Sequence, residues 1–135
     1  TVRVLLRALT HPTATYPGFV DHGAADQLAH PEVEMRALLV DDTRPGTVAH
    51  SVRHLLDAAA EVRDQLSNDT WLVIGHLDQD LAEVDHTALP TAVTGALGRV
   101  LQAMLALSGL SAESMVRDDG WQFMEAGRGI ERALQ

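Results

Sequence analysis

The 135-residue chain contains no cysteine, which excludes a disulfide framework, a thiolate metal site and a cysteine nucleophile. A reducing cytoplasm is the simplest expected setting. Lysine is absent too, since all ten basic residues are arginine. That excludes a phosphate-loop lysine, a Schiff-base lysine and a lysine general base from this segment. The formal charge of -9 leaves no excess of basic groups. Phosphate neutralisation by a basic face supplies most non-specific nucleic-acid affinity, so nucleic acid is not an expected partner. There is no Gly-x-Ser-x-Gly elbow and no signal-peptide pattern. The most apolar stretch, Val93 to Leu110, is interrupted by Arg99 and Gln102, short of the ~20 uninterrupted apolar residues a membrane span needs. Membrane insertion is not expected. Alternation of apolar and polar residues over a strand length is also missing, which leaves helices.

Helical spacing is what the chain has in quantity. Five prolines, Pro12, Pro17, Pro31, Pro45 and Pro90, fall between periodic segments, where a missing N–H and a ring clash do least harm. Val2, Leu5, Leu6 and Leu9 read as one helix, residues 11–23 as a loop, and Pro31 to about Asp41 as a short helix with Glu32 and Glu34 near its positive end. Residues 42–46, Asp-Thr-Arg-Pro-Gly, turn the chain. Val48, Val52, Leu55, Ala59, Val62 and Leu66 then alternate steps of four and three, the mark of one buried stripe. Ser67-Asn68-Asp69 offers capping groups before a second helix, carrying Val73, Leu77 and Leu81 to about Val84. Val93, Leu97, Val100, Met104 and Leu107 repeat the rhythm, Ser108-Gly109 suggests a bend, and a last helix runs from about Ser114.

The expectation is one all-α domain over residues 1–135, an up-and-down bundle of about five to six helices. The chain opens on Thr1 and stops with its pattern still running, as a piece of a longer protein does. Glycines 75, 95, 98, 120, 127 and 129 fall inside the predicted helices, each costing about 1 kcal/mol against alanine. Close helix contact is the expected compensation.

In the terminal helix Val116, Gly120, Phe123, Gly127, Ile130 and Leu134 form one stripe, expected to face a neighbouring helix. Beside it run Arg117, Trp121, Met124, Arg128 and Glu131, with Asp118, Glu125 and Arg132 continuing around. Spacing alone favours solvated charges, each pair worth about 0.2 to 0.5 kcal/mol. The sharper reading is a polar pocket in which Arg53, Arg63, Arg117, Arg128 and Arg132 hold a carboxylate or phosphate, since guanidinium forks match both. Asp118 or Glu131 could orient an arginine or act as a base. Trp121 reads as core first and as a stacking platform second.

Other constellations are incomplete. His50, His54 and Asp57 share a helix face but lack a further ligand cluster, so no metal site is expected. Glu83 and His86 match one half of a di-iron pair, and a second Glu-x-x-His pair is missing. Asp78-Gln79-Asp80 begins like a calcium loop, yet Glu83 occupies the glycine position. Gly127-Arg128-Gly129 follows no strand and lacks the third glycine of a dinucleotide fingerprint. Asn68-Asp69-Thr70 matches the glycosylation triplet by chance. No cofactor is expected, and no constellation makes an enzyme of the segment by itself.

The run from Glu113 to Phe123, Glu-Ser-Met-Val-Arg-Asp-Asp-Gly-Trp-Gln-Phe, followed by Gly127-Arg128 and Glu131-Arg132-Ala133, resembles the signature helix of the bacterial alpha-E domain family. Ser51-Val52-Arg53, Val62-Arg63 and Leu66 to Trp71 resemble that family's middle segment. The resemblance implies an all-helical domain of unsettled biochemistry, fused to or encoded beside a circularly permuted ATP-grasp ligase. It implies peptide or amide-bond chemistry, hence an ATP-grasp partner and a peptide substrate with an anionic group. It places the family's residues at Arg117, Asp118, Trp121, Arg128, Glu131 and Arg132. The middle segment departs from the family in Leu56, Ala58 and Ala60, where relatives often carry arginine, asparagine and arginine. A purely structural or homo-oligomerising bundle is the alternative.

Overall fold

Thr47 shows how the sequence sets the chain's first sharp reversal. Its hydroxyl accepts the N–H of His50 at 3.2 Å and so caps the helix that follows. The same hydroxyl lies within hydrogen-bonding distance of the carbonyls of Asp41 and Arg44, and the side chain is buried. Gly46, at φ 85°, takes the left-handed turn that a side chain would resist. Arg44 pairs with Glu34 at 2.8 Å across the turn. The expected turn over residues 42–46 is thus built from a cap, a glycine and an ion pair.

The computed structural model describes residues 2–13, 24–86 and 90–134. They form α1 (Val2–Thr13), α2 (Ala24–Ala29), α3 (Pro31–Val40), α4 (Val48–Glu61), a single 3-10 turn (Arg63–Gln65), α5 (Asn68–His86), α6 (Pro90–Glu113) and α7 (Asp119–Leu134), with no strand among the described residues. The fold is an all-α bundle. Several boundaries correct the expectation. Residues 11–13 belong to α1, which carries Pro12 in its last turn and there forgoes one backbone bond to the carbonyl four residues earlier; the rest of the expected loop, 14–23, lies outside the described residues. α2 had no periodic signal. α6 passes through Ser108-Gly109 without a break, and the last helix starts at Asp119 rather than Ser114.

α4, α5 and α6 form the antiparallel part. Leu77 shares a cluster with Val52, Leu81 and Ala103, while Val84 packs with Ala96 and Leu39. The pairs 77/103 and 84/96 run in opposite directions, as do the ties from Arg99 to Asp80 and Glu83. Leu77 is fully buried, and Leu6 with Leu28 closes a smaller cluster against Leu38. Contrary to the sequence reading, the buried face of α6 centres on Ala96 and Ala103, with Val93 and Val100 beside them, and Leu97 and Met104 are exposed. Small side chains let α5 and α6 approach, so the alanines form the seam.

Val93–Glu113, as one unbroken helix, is long and apolar enough by length and composition to cross a membrane. One side of it packs on α5, and Arg99 is held by two carboxylates. A central helix of an α-hairpin has the same composition. The helical glycines do not serve close contact either: a methyl placed on Gly75, Gly98, Gly127 or Gly129 would meet nothing within 4 Å.

Candidate functional site

One end of the bundle gathers the turn between α4 and α5, the last turn of α6 and the start of α7. Asp118 begins α7 by accepting the Trp121 N–H on Oδ1 at 3.0 Å, while its carbonyl takes the first helical bond from Gln122. Gly120 sits close to both turns. A methyl at that position would stand 3.2 Å from Asp118 Oδ1 and 3.5 Å from Gln65 Oε1. Eight residues further on, Arg128 donates to Ser111 Oγ in the last turns of α6 at 2.7 Å and to Glu125 at 2.7 Å. Eight residues are about 12 Å of helix. Both touch points lie at the same end of the hairpin, so the first half of α7 crosses that end instead of running down the bundle's side.

This placement inverts the expected orientation of α7. Trp121, Met124, Glu125, Arg128 and Gly129 are the half-buried positions. The apolar stripe faces outward, with Val116 78%, Phe123 79%, Ile130 62% and Leu134 78% exposed. The contacts α7 makes with the rest of the bundle are the hydrogen bond from Arg128 to Ser111 and the approach of Gly120 to Gln65, neither of which needs an apolar stripe.

Two arginine–tryptophan pairs mark the same end. The Arg63 guanidinium lies 5.0 Å from the ring centre of Trp71, and that of Arg117 lies 5.4 Å from the ring centre of Trp121. Such stacking uses the face of the guanidinium and leaves its in-plane N–H donors free. Among the described residues neither arginine has a carboxylate partner. The Trp71 indole N–H is buried and has no acceptor among the described residues. The contact between Gly120 and Gln65 brings the two turns together. The end of the bundle therefore offers two guanidinium groups beside two aromatic faces, a donor set suited to an anion.

The other nominated residues lie elsewhere. Arg53 is at the start of α4, paired with Asp42 at 2.7 Å; ten residues, about 15 Å of helix, separate it from Arg63. Arg132 and Glu131 are exposed in the last turn of α7. Trp71, Gln65 and Ser111 were not nominated from sequence. Trp71 lies within the segment that resembles the family, and its pairing with Arg63 depends on the 3-10 turn, which has no sequence period.

A concavity of about 390 Å³ opens between α5 and α6, lined by His76, Gln79, Asp80, Arg99 and Gln102 above an apolar floor. Its one arginine is neutralised by Asp80 and Glu83. It contains none of the nominated residues. His50 and His54 bond to one another through Nε2 at 3.2 Å, and no group of three or more metal-binding side chains occurs among the described residues. The His86 side chain falls outside the described residues. Asp41 is held below its ordinary 3.8, first by the Thr43 hydroxyl and then by the Thr43 N–H. It belongs to the turn before α4, away from the arginine–tryptophan end.

The model of the alpha-E family, described as a predicted alpha-helical domain with a conserved ER motif, matches residues 1–135. The chain contains one Glu-Arg dipeptide, Glu131-Arg132. Uncharacterised proteins of Mycobacterium bovis and of two strains of Mycobacterium tuberculosis are each 40% identical over 147 residues, covering 98% of this chain. The chain spans 16% of the length of these relatives. No solved structure matches.

Proposed function

The chain belongs to the alpha-E family, and from that premise we propose that it is a cytoplasmic accessory domain that binds an anionic group of a peptide substrate and acts with an ATP-grasp ligase in amide-bond chemistry. The observation that carries the binding half is the pair of guanidinium groups, Arg63 and Arg117, stacked on Trp71 and Trp121 without carboxylate partners among the described residues. A carboxylate or phosphate entering there meets the guanidinium N–H donors of Arg63 and Arg117. The ligase half rests on the resemblance of the terminal helix to the family signature.

The two tryptophans of the chain both lie at this end, so their fluorescence reports it. Titration with inorganic phosphate, pyrophosphate and a short acidic peptide is expected to give a saturable change in emission, lost in the Arg63→Ala/Arg117→Ala double variant and kept in Arg53→Ala. No saturable change with any of the three removes the binding reading. For the ligase half, a full-length protein and a gene neighbourhood without an ATP-grasp domain would count decisively against it. A catalytic role for Asp118 or Glu131 is less well supported, because Asp118 Oδ1 already caps α7. Unchanged turnover of a reconstituted reaction by Asp118→Asn and Glu131→Gln would dismiss that role. The outward apolar stripe of α7 favours a second reading, an oligomerising bundle without its own ligand.

A further inference from the structure

We propose that His50 and His54 of α4 form a two-point chelate for a divalent transition-metal ion such as copper, nickel or zinc. The Nε2 atoms of the two rings stand 3.2 Å apart. Two nitrogens bound to one ion at about 2.0 to 2.1 Å are separated by about 2.9 Å when they meet it at a right angle and by about 3.4 Å at the tetrahedral angle. The observed spacing falls between those limits. The ring centres are 4.4 Å apart and the ring planes are inclined at 63°, so the rings lean together at their nitrogen edges. A bond directed along both ring axes would instead hold the centres about 5.5 Å apart. The two nitrogens therefore converge on one point that an ion can occupy without a change of helix.

The backbone fixes that convergence. Residues four apart lie one above the other on a helix. Thr47 caps α4 through the His50 N–H, and Val52 and Ala59 hold the opposite side of the helix in the core. The histidine pair faces solvent, so an ion reaches it without opening the bundle. No third metal-binding side chain joins the pair among the described residues, which leaves the remaining coordination positions to water or to a donor from outside. The site is open, as the sequence spacing alone does not reveal. Imidazole nitrogen suits copper, nickel and zinc, whereas magnesium and calcium take oxygen. With no cysteine in the chain, no thiolate competes for the ion. The chelate is independent of the arginine and tryptophan end of the bundle.

Isothermal titration of the untagged 135-residue chain with copper, nickel, zinc and magnesium chlorides, at pH about 7.5, tests this. Saturation at about one ion per chain is expected, tightest for copper and undetectable for magnesium. His50→Ala and His54→Ala should each weaken copper binding about a hundredfold, because either leaves a single ligand in place of a chelate. His76→Ala, which removes an exposed histidine of α5 outside the pair, should leave binding unchanged. Alanine suits an exposed helical position, so the circular dichroism of the variants should match that of the parent. Saturating zinc should also raise the melting temperature of the parent chain and not that of His50→Ala or His54→Ala. Absence of saturable copper, nickel and zinc binding overturns the proposal. So does binding that persists undiminished in His50→Ala or His54→Ala, which would place the ion elsewhere on the chain.

Discussion

α5 and α7 carry apolar residues at the same helical spacing and have opposite fates. Along α5, Ile74, Leu77, Leu81 and Val84 are buried, Leu77 and Leu81 with Val52 of α4 and Ala103 of α6, and Leu77 has no exposed surface. Along α7, Phe123, Ile130 and Leu134 repeat the spacing and remain in solvent. Periodicity records which face of a helix is apolar, whereas burial also needs a surface to cover that face. α6 gives α5 such a surface through Ala96 and Ala103. α7 instead crosses the end of the hairpin on the side that carries Trp121 and Arg128, so its apolar face has no partner among the described residues.

The largest test of this contrast is a matched pair of truncations. Leu77→Ala should lower the free energy of unfolding by about 2 to 5 kcal/mol in urea denaturation, because it leaves a cavity at the most buried position. Phe123→Ala, measured in dilute chain, should move it by no more than about 0.5 kcal/mol, as exposed positions do. Equal losses at both positions would break the comparison. Thr47→Ala comes next, at about 1 to 2 kcal/mol, since it removes the α4 cap and a buried hydroxyl that ties the turn to Asp41 and Arg44.

The two stripe glycines sharpen the contrast within α7. Gly127→Ala should raise the helicity of α7 with a gain of up to about 1 kcal/mol, since it meets open space in the single chain. Gly120→Ala should give no such gain, because its methyl crowds the Asp118 oxygen that caps the helix. Amide hydrogen exchange along α7 reads both. The smallest effect is at Asp41, whose lowered pKa stabilises the fold above pH about 4 and loses that contribution as pH falls through the lowered value. Thr43→Ala should raise the Asp41 pKa and flatten the dependence of the urea midpoint on pH over that acid range.

The sequence announces most of the bundle and little of its end. α3, α4 and α5 begin where proline, threonine and serine fit first-turn and capping positions, and the turn over residues 42–46 is explicit in Pro45 and Gly46. α6 is legible as a helix, but its seam is not. Large residues draw the eye to Leu97 and Met104, while the distance between packed helices selects the alanines on the neighbouring face. Trp121 and Arg117 are visible as candidates, and so is Arg63. Their meeting is not visible, because it depends on a 3-10 turn and on a five-residue link whose course no period encodes. The orientation of α7 is misread for the same reason, since the contacts that tie it to the bundle, Arg128 on Ser111 and Gly120 beside Gln65, lie off its apolar stripe or at its start.

The absence of native cysteine makes that orientation directly measurable with single introduced thiols. The decisive experiment is the rate of thiol labelling in Phe123→Cys and Leu77→Cys, with the chain diluted until it sediments as a monomer. Labelling at position 123 is predicted to approach the rate of the unfolded chain, with labelling at 77 slowed to the rate set by unfolding. Equal protection at the two positions would contradict the account, because it would place the stripe of α7 inside the bundle.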